Sequence, residues 1–224
     1  YAGRLLTSQD FAGQLPQPDQ HLFIGRFGGF EPYSDTGSPY GSASYRLRIL
    51  LPEESAFYTL ELPEIFSAYR LYLNGKEVAG MGDPDPAHYR PETGNRTVTV
   101  EAGGELDILF AVSDFSHLYS GMVYPPAFGT PEAVSSLLSA RLIFRSLLCA
   151  AALLVGLLSV LIGLLSGQAS RPLLFGLLCL TFVGYTCYPL TRTLFVGYGA
   201  QYLLENLCFC AMPPVVLLLT GRLC

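Results

Sequence analysis

Residues 142–165 read LIFRSLLCAAALLVGLLSVLIGLL. This run of 24 residues carries one charge, Arg145, near its start. At 1.5 Å of rise per helical residue, roughly 20 apolar residues cross a bilayer core of about 30 Å. The text before the run is polar enough to fold in water, and most of the text after it is apolar enough for lipid. The expected division is an N-terminal domain at 1–130 and part of a membrane domain at 131–224. Spans are expected at about 142–165, 172–190 and 203–220. Only 14% of residues are charged, against about 25% in ordinary soluble domains.

The charge is uneven. After Glu132 the only acidic residue is Glu205, so the chain's negative net charge comes from the N-terminal half. An acidic surface argues against a nucleic-acid partner. All six cysteines lie after residue 148, in or beside apolar runs. Neither a disulfide framework nor a zinc spacing can be read from them. The chain starts at Tyr1 with no signal-peptide pattern and stops at Cys224 just after an apolar run. The expectation is a piece of a longer protein.

Within 1–130 the apolar residues alternate. Tyr45, Leu47, Ile49 and Leu51 share one face and Arg46 and Arg48 the other. Tyr58, Leu60 and Leu62 repeat the pattern, as do Tyr69, Leu71 and Leu73 opposite Arg70 and Tyr72. Val98 and Val100, then Leu106, Ile108, Phe110 and Val112, continue it. A period of two marks strands with one buried face, and Asn74-Gly75 is a tight-hairpin signal. Short strands joined by Gly/Pro turns predict an all-β antiparallel sandwich of jelly-roll type, followed by a truncated α-helical transmembrane bundle. Thr130-Pro131-Glu132 reads as a helix start: a capping hydroxyl, a proline at the first helical position, an acid at the positive end of the dipole. That helix is expected to run unbroken into the first span.

No nucleophile elbow, phosphate loop, dinucleotide fingerprint or zinc-protease motif is present. No cofactor, catalytic residue or metal ligand is therefore expected. Asp83-Pro84-Asp85-Pro86 with His88 reads as a solvated turn or as an oxygen-rich cation loop. What remains is a binding surface: Arg46, Arg70 and Tyr72 on the polar strand face, with Tyr89, Arg90, His117 and Tyr119 in the loops. Arginine forks beside aromatic rings suit a sugar, a carboxylate or a polar head group. The competing reading is a solvated strand face with a few loop tyrosines.

YRLRILLP at 45–52, LELPEIFSAYRLYLNGKEVAGMG at 60–82 and ELDILFAVSDFSHLYSGM at 105–122 resemble the extracytoplasmic jelly-roll of bacterial seven-transmembrane receptors with diverse intracellular signalling modules. The lead-in YAGRLLTSQDF at 1–11 is similar to the start of that domain, and RPLLFGLLCLTF at 171–182 to the family's second span. The most specific stretch is SAYRLYLNGKEV with the downstream VSDFSH. The chain has no tryptophan, which the family pattern often places ahead of the first strand; Phe27 or Phe30 stands in.

The resemblance implies a galactose-binding-like sensor for a small polar or carbohydrate ligand, a homodimer, and an inner or plasma membrane location. It also implies four further helices and a histidine kinase, cyclic-nucleotide enzyme or phosphatase module beyond Cys224, with no enzyme in the present residues. It puts the N-terminus outside, whereas the count of Arg141, Arg145 and Arg192 against Arg171 and Arg222 points the other way. The alternative function is a membrane-anchored carbohydrate-binding or processing protein.

Overall fold

A computed structural model describes residues 4–7, 9–10, 17–24, 30–31, 37–65, 67–92, 94–116, 121–166, 170–187, 190–191 and 198–221. Among these, seven strands precede three helices. The strands are β1 (Gly41–Leu50), β2 (Ala56–Ile65), β3 (Ala68–Leu73), β4 (Lys76–Met81), β5 (Gly94–Ala102), β6 (Glu105–Asp114) and β7 (Ala127–Gly129). The helices are α1 (Pro131–Leu165), α2 (Ser170–Thr186) and α3 (Tyr198–Gly221). The chain separates into two compact units, Tyr1–Ser135 and Ser136–Cys224.

In the first unit one sheet has the order β1-β6-β3-β4 and the other β5-β2-β7, and the strands pair antiparallel. Both sheets give their inward residues to one apolar cluster, as in a β-sandwich. Leu60 and Leu62 enter it from β2, Tyr69, Leu71 and Leu73 from β3, and Leu106, Ile108, Phe110 and Val112 from β6. These are the residues the alternation placed on one face. Each fully buried side chain of this size contributes about 1.5–3 kcal/mol. Phe30 is buried in the same cluster, while Phe27 lies outside the described residues. Leu47 departs from the pattern and is exposed. It sits on β1, an outermost strand of its sheet, where alternation sets the side chain's direction but not what covers it.

Local chemistry sets the breaks between strands. Asn74 and Gly75 have φ of 47° and 78°, the paired left-handed residues of a two-residue hairpin. Asn74 also accepts a hydrogen bond from the Asp107 N–H at 2.8 Å, tying this turn to β6. In β2, Pro63 has no N–H to donate, and the register with β5 shifts between Leu62 and Ile65.

At the end of the first unit Thr130 Oγ1 accepts from the Ala133 N–H at 3.3 Å, and the α1 ladder starts with Val134 N–H donating to the Thr130 carbonyl at 3.0 Å. Helix α1 has 35 residues, about 52 Å at 1.5 Å each.

Among the described residues, two helical segments are long and apolar enough to cross a membrane, Pro131–Leu165 and Leu203–Gly221. Helix α2 has 17 residues, about 25 Å, short of the expected span to residue 190. Gly156 and Gly176 mark the α1–α2 contact: a Cβ on Gly176 would lie 2.6 Å from Val160 Cγ2 and 3.0 Å from the Gly156 carbonyl oxygen. Pro213 and Pro214 lie inside α3. Of the tyrosines expected near the second loop, Tyr185 packs against Phe209 with ring centroids 5.6 Å apart.

Candidate functional site

Of the expected site residues, Arg46, Arg70 and Tyr72 fall on strands of the four-stranded sheet. Arg46 on β1 is fully engaged there. Its Nε donates to the two Asp107 carboxylate oxygens at 2.8 and 3.0 Å, and its Nη2 pairs with the same group. This bidentate fork to β6 pushes the Arg46 pKa up, despite partial burial. Beside it Arg48 pairs with Glu105, Nε to Oε1 at 2.5 Å. The two arginines form a cross-strand charge ladder rather than an open receptor surface.

Arg70 on β3 is also committed. Its Nη1 donates to the Gly82 carbonyl at 2.7 Å and the Tyr69 carbonyl at 3.1 Å, and Nε lies 3.4 Å from Glu77 Oε1. The side chain crosses β4 at Gly80, where any Cβ would lie 2.8 Å from Arg70 Cδ. Glycine there is what lets the guanidinium lie flat and clamp the end of β4.

Tyr72, expected on a solvated face, is only 6% exposed. The lead-in covers it. Leu6, with Leu5 beside it, packs on Tyr72, Leu109 and Ala111 in a second apolar cluster. Ser44 pins this strap twice, its Oγ accepting from the Leu6 N–H at 2.8 Å and donating to the Arg4 carbonyl at 2.7 Å. Burial, and then the nearby Glu77, raises the Tyr72 phenol pKa. At the end of the strap Asp10 accepts from the Thr7 N–H at 2.7 Å and hydroxyl at 3.1 Å. The bond from the Thr7 N–H is the main reason its carboxyl sits below the ordinary value.

An open cleft of about 240 Å³ borders the strap, lined by Leu5, Leu6, Thr7, Arg70, Tyr72, Asp83, Pro84, Asp85 and Ala111. That is less than the roughly 300–1,000 Å³ of pockets for drug-sized ligands. Its rim carries the carboxylates of Asp83 and Asp85 and the Arg70 guanidinium; its floor is apolar. Of the expected site residues, Arg70 and Tyr72 come together here. Leu5, Leu6, Asp83 and Asp85 are lining residues that the alternation of strands did not reveal.

Tyr89 and Arg90 stand in the loop after β4, which closes on itself through the Asp83 and Arg90 backbones. The Tyr89 hydroxyl donates to Asp114 Oδ1 at 3.3 Å and lies 3.0 Å from Ser116 Oγ, and its ring meets Phe115 edge-on at 5.1 Å. Burial is the largest reason its phenol pKa is raised. Arg90 is exposed. His117 and Tyr119 lie outside the described residues, as does Tyr188, and nothing of the Tyr198 and Tyr202 side chains is described.

The Asp83–His88 segment uses its carboxylates on itself. Asp83 Oδ1 accepts from the Asp85 N–H at 3.2 Å, and Asp85 accepts from the Ala87 N–H at 2.9 Å and faces His88 Nδ1 at 3.3 Å. The Ala87 bond, then His88, lowers the Asp85 pKa. These are turn-closing contacts, and among the described residues no three metal-ligating side chains gather into a cation site. No protein-family model matches the chain, and no curated protein matches it.

Proposed function

We propose that the chain is the sensor and first membrane helices of a bacterial signalling receptor of the seven-transmembrane class. In this reading the sheet unit is a jelly-roll of galactose-binding-like type, held outside the cell as a homodimer. It takes a small polar ligand at the cleft beside the strap, and carbohydrate is the first class to try. The chain itself contributes binding and transmission, and a module beyond Cys224 supplies the output. The helices sit in the inner or plasma membrane.

The observation that carries this reading is the path from β7 to α1. The edge strand β7 pairs with β2 at three positions, Thr59↔Gly129, Leu60↔Phe128 and Glu61↔Ala127. Its Phe128 ring stacks on Tyr58 at 5.3 Å. One residue later the capped helix begins and continues for 35 residues. A displaced β7 therefore has a helix, rather than a loose linker, to displace. A ligand can bias such an element only through different affinities for its two states.

Fifteen large apolar side chains on α1 are exposed. Even if each is half covered already, leaving them in water forgoes about 10 kcal/mol or more, comparable to a domain's whole stability. Lipid and further helices remove that loss.

The test is hydrogen exchange on the full chain in lipid nanodiscs against a panel of monosaccharides and sugar acids. The expected result is protection around 83–90 together with altered exchange at 127–135. Binding at the cleft with unchanged exchange at 127–135 would favour the anchored carbohydrate-binding protein instead. Reading the gene past Cys224 is the companion test: four more apolar spans and a signalling module are expected, and an early stop would overturn the receptor.

A further inference from the structure

Cys187 sits just past the end of α2, next to Thr186 and one turn from Gly184, two residues that meet thiols of the other two helices. On the α1 side, Cys149 Sγ lies 3.3 Å from Thr186 Oγ1. Because the Thr186 hydroxyl already donates to the Phe182 carbonyl at 2.8 Å, it is the Cys149 thiol that donates in this contact. On the α3 side, Cys208 Sγ rests against Gly184, so closely that a Cβ there would overlap it. The Cys187 thiol itself donates to the Gly184 carbonyl at 3.5 Å. The thiols of Cys149 from α1 and Cys208 from α3 thus meet residues within one turn of Cys187.

We propose that these three residues form a redox-responsive thiol cluster, with Cys187 as the shared member of a reversible disulfide to Cys149 or Cys208. A disulfide demands Cα atoms only about 4.4–6.8 Å apart, and the missing side chain at Gly184 is what lets Cys208 of α3 come up against the α2 backbone one turn from Cys187. The oxidant that fits an apolar helical unit is a lipid-soluble quinone. The two thiols give up two protons and two electrons. The S–S bond forms, and the quinone's two carbonyls become the hydroxyls of the quinol. The product ties α2 covalently to a neighbour and removes the freedom of those helices to shift.

This inference rests on the membrane placement proposed above, which alkaline carbonate extraction tests separately. The full chain in nanodiscs is treated with a short-chain ubiquinone, and its thiols are counted by maleimide–polyethylene glycol gel shift. The expected result is loss of two of the six thiols, restored by a phosphine reductant, with a Cys187-containing cross-linked peptide in the mass spectrum. Cys187→Ser should keep its five thiols reactive, while Cys179→Ser and Cys210→Ser should still lose two. If Cys187→Ser does not fold, the Cys149→Ser/Cys208→Ser double variant gives the same reading and should keep all four. An unchanged wild-type count, two thiols lost without Cys187, or a disulfide only through Cys179, Cys210 or Cys224 would overturn the proposal. Retention in the carbonate-washed membrane together with quinone-driven loss of two thiols would sustain both readings. Extraction into the soluble fraction would remove the placement whatever the thiols do.

Discussion

Leu71 in β3 is wholly buried, whereas Leu165 at the end of α1 is 78% exposed. The same side chain is treated in opposite ways by the two units of one chain. In the sheet unit apolar residues alternate with polar ones, and each sheet turns its apolar face inward. In α1 they recur at every position around the helix, so no rotation can hide them all. The lesson lies in the period rather than in the amount of apolar residue. Alternation lets a domain supply its own interior, while all-round hydrophobicity requires an interior supplied from outside.

That contrast can be broken at several points, in falling order of effect. Leu71→Ala should destabilise the sheet unit by about 2–5 kcal/mol through the lost burial and the cavity left behind. Urea denaturation followed by tyrosine fluorescence should show this, with the helical content of α1 to α3 unchanged. If the helices melt with it, the two units are not independent.

Gly176→Leu should cost about 1–3 kcal/mol by forcing α1 and α2 apart at their closest point. It should be seen as increased maleimide reactivity of Cys179, with the sheet unit's denaturation midpoint unmoved. Ser44→Ala should cost about 1–3 kcal/mol, because it leaves the Leu6 N–H without its acceptor under the strap. Faster amide exchange at Leu6 and greater exposure of Tyr72 would mark it. A change confined to global unfolding would mean that the strap does not open by itself.

The smallest effect concerns acid. The Asp10 carboxyl is held below its ordinary value of about 3.8, so its hold on the Thr7 turn is complete above that pH. The hold is lost as pH falls through the lowered folded value. Leu6 exchange should quicken in that range, and Asp10→Asn should flatten the dependence.

The cleft shows where legibility stopped. Tyr72 and Arg70 were readable as outward-facing because strand parity decides direction. Their partners were not readable. Leu6, which covers Tyr72, lies 66 residues earlier in the chain. The glycine under Arg70 belongs to the next strand. Asp107, which occupies Arg46, lies 61 positions away. A lone pair of leucines in a polar lead-in, Leu5-Leu6, was the one local sign that this segment had something to bury.

Within short range, the sequence by itself determined the strand faces, the Asn74-Gly75 hairpin, the capped start of α1 and the two apolar segments long enough for a bilayer. Each of these follows from covalent geometry and from neighbours a few residues apart. Only the tertiary structure decided that the outward arginines are spent on Asp107, Glu105 and the end of β4, and that the lead-in lies on the sheet. The same holds for the gathering of Cys149, Cys187 and Cys208. Those outcomes depend on which distant groups compete for the same hydrogen bonds and the same surface, and the folded chain alone brings such groups together.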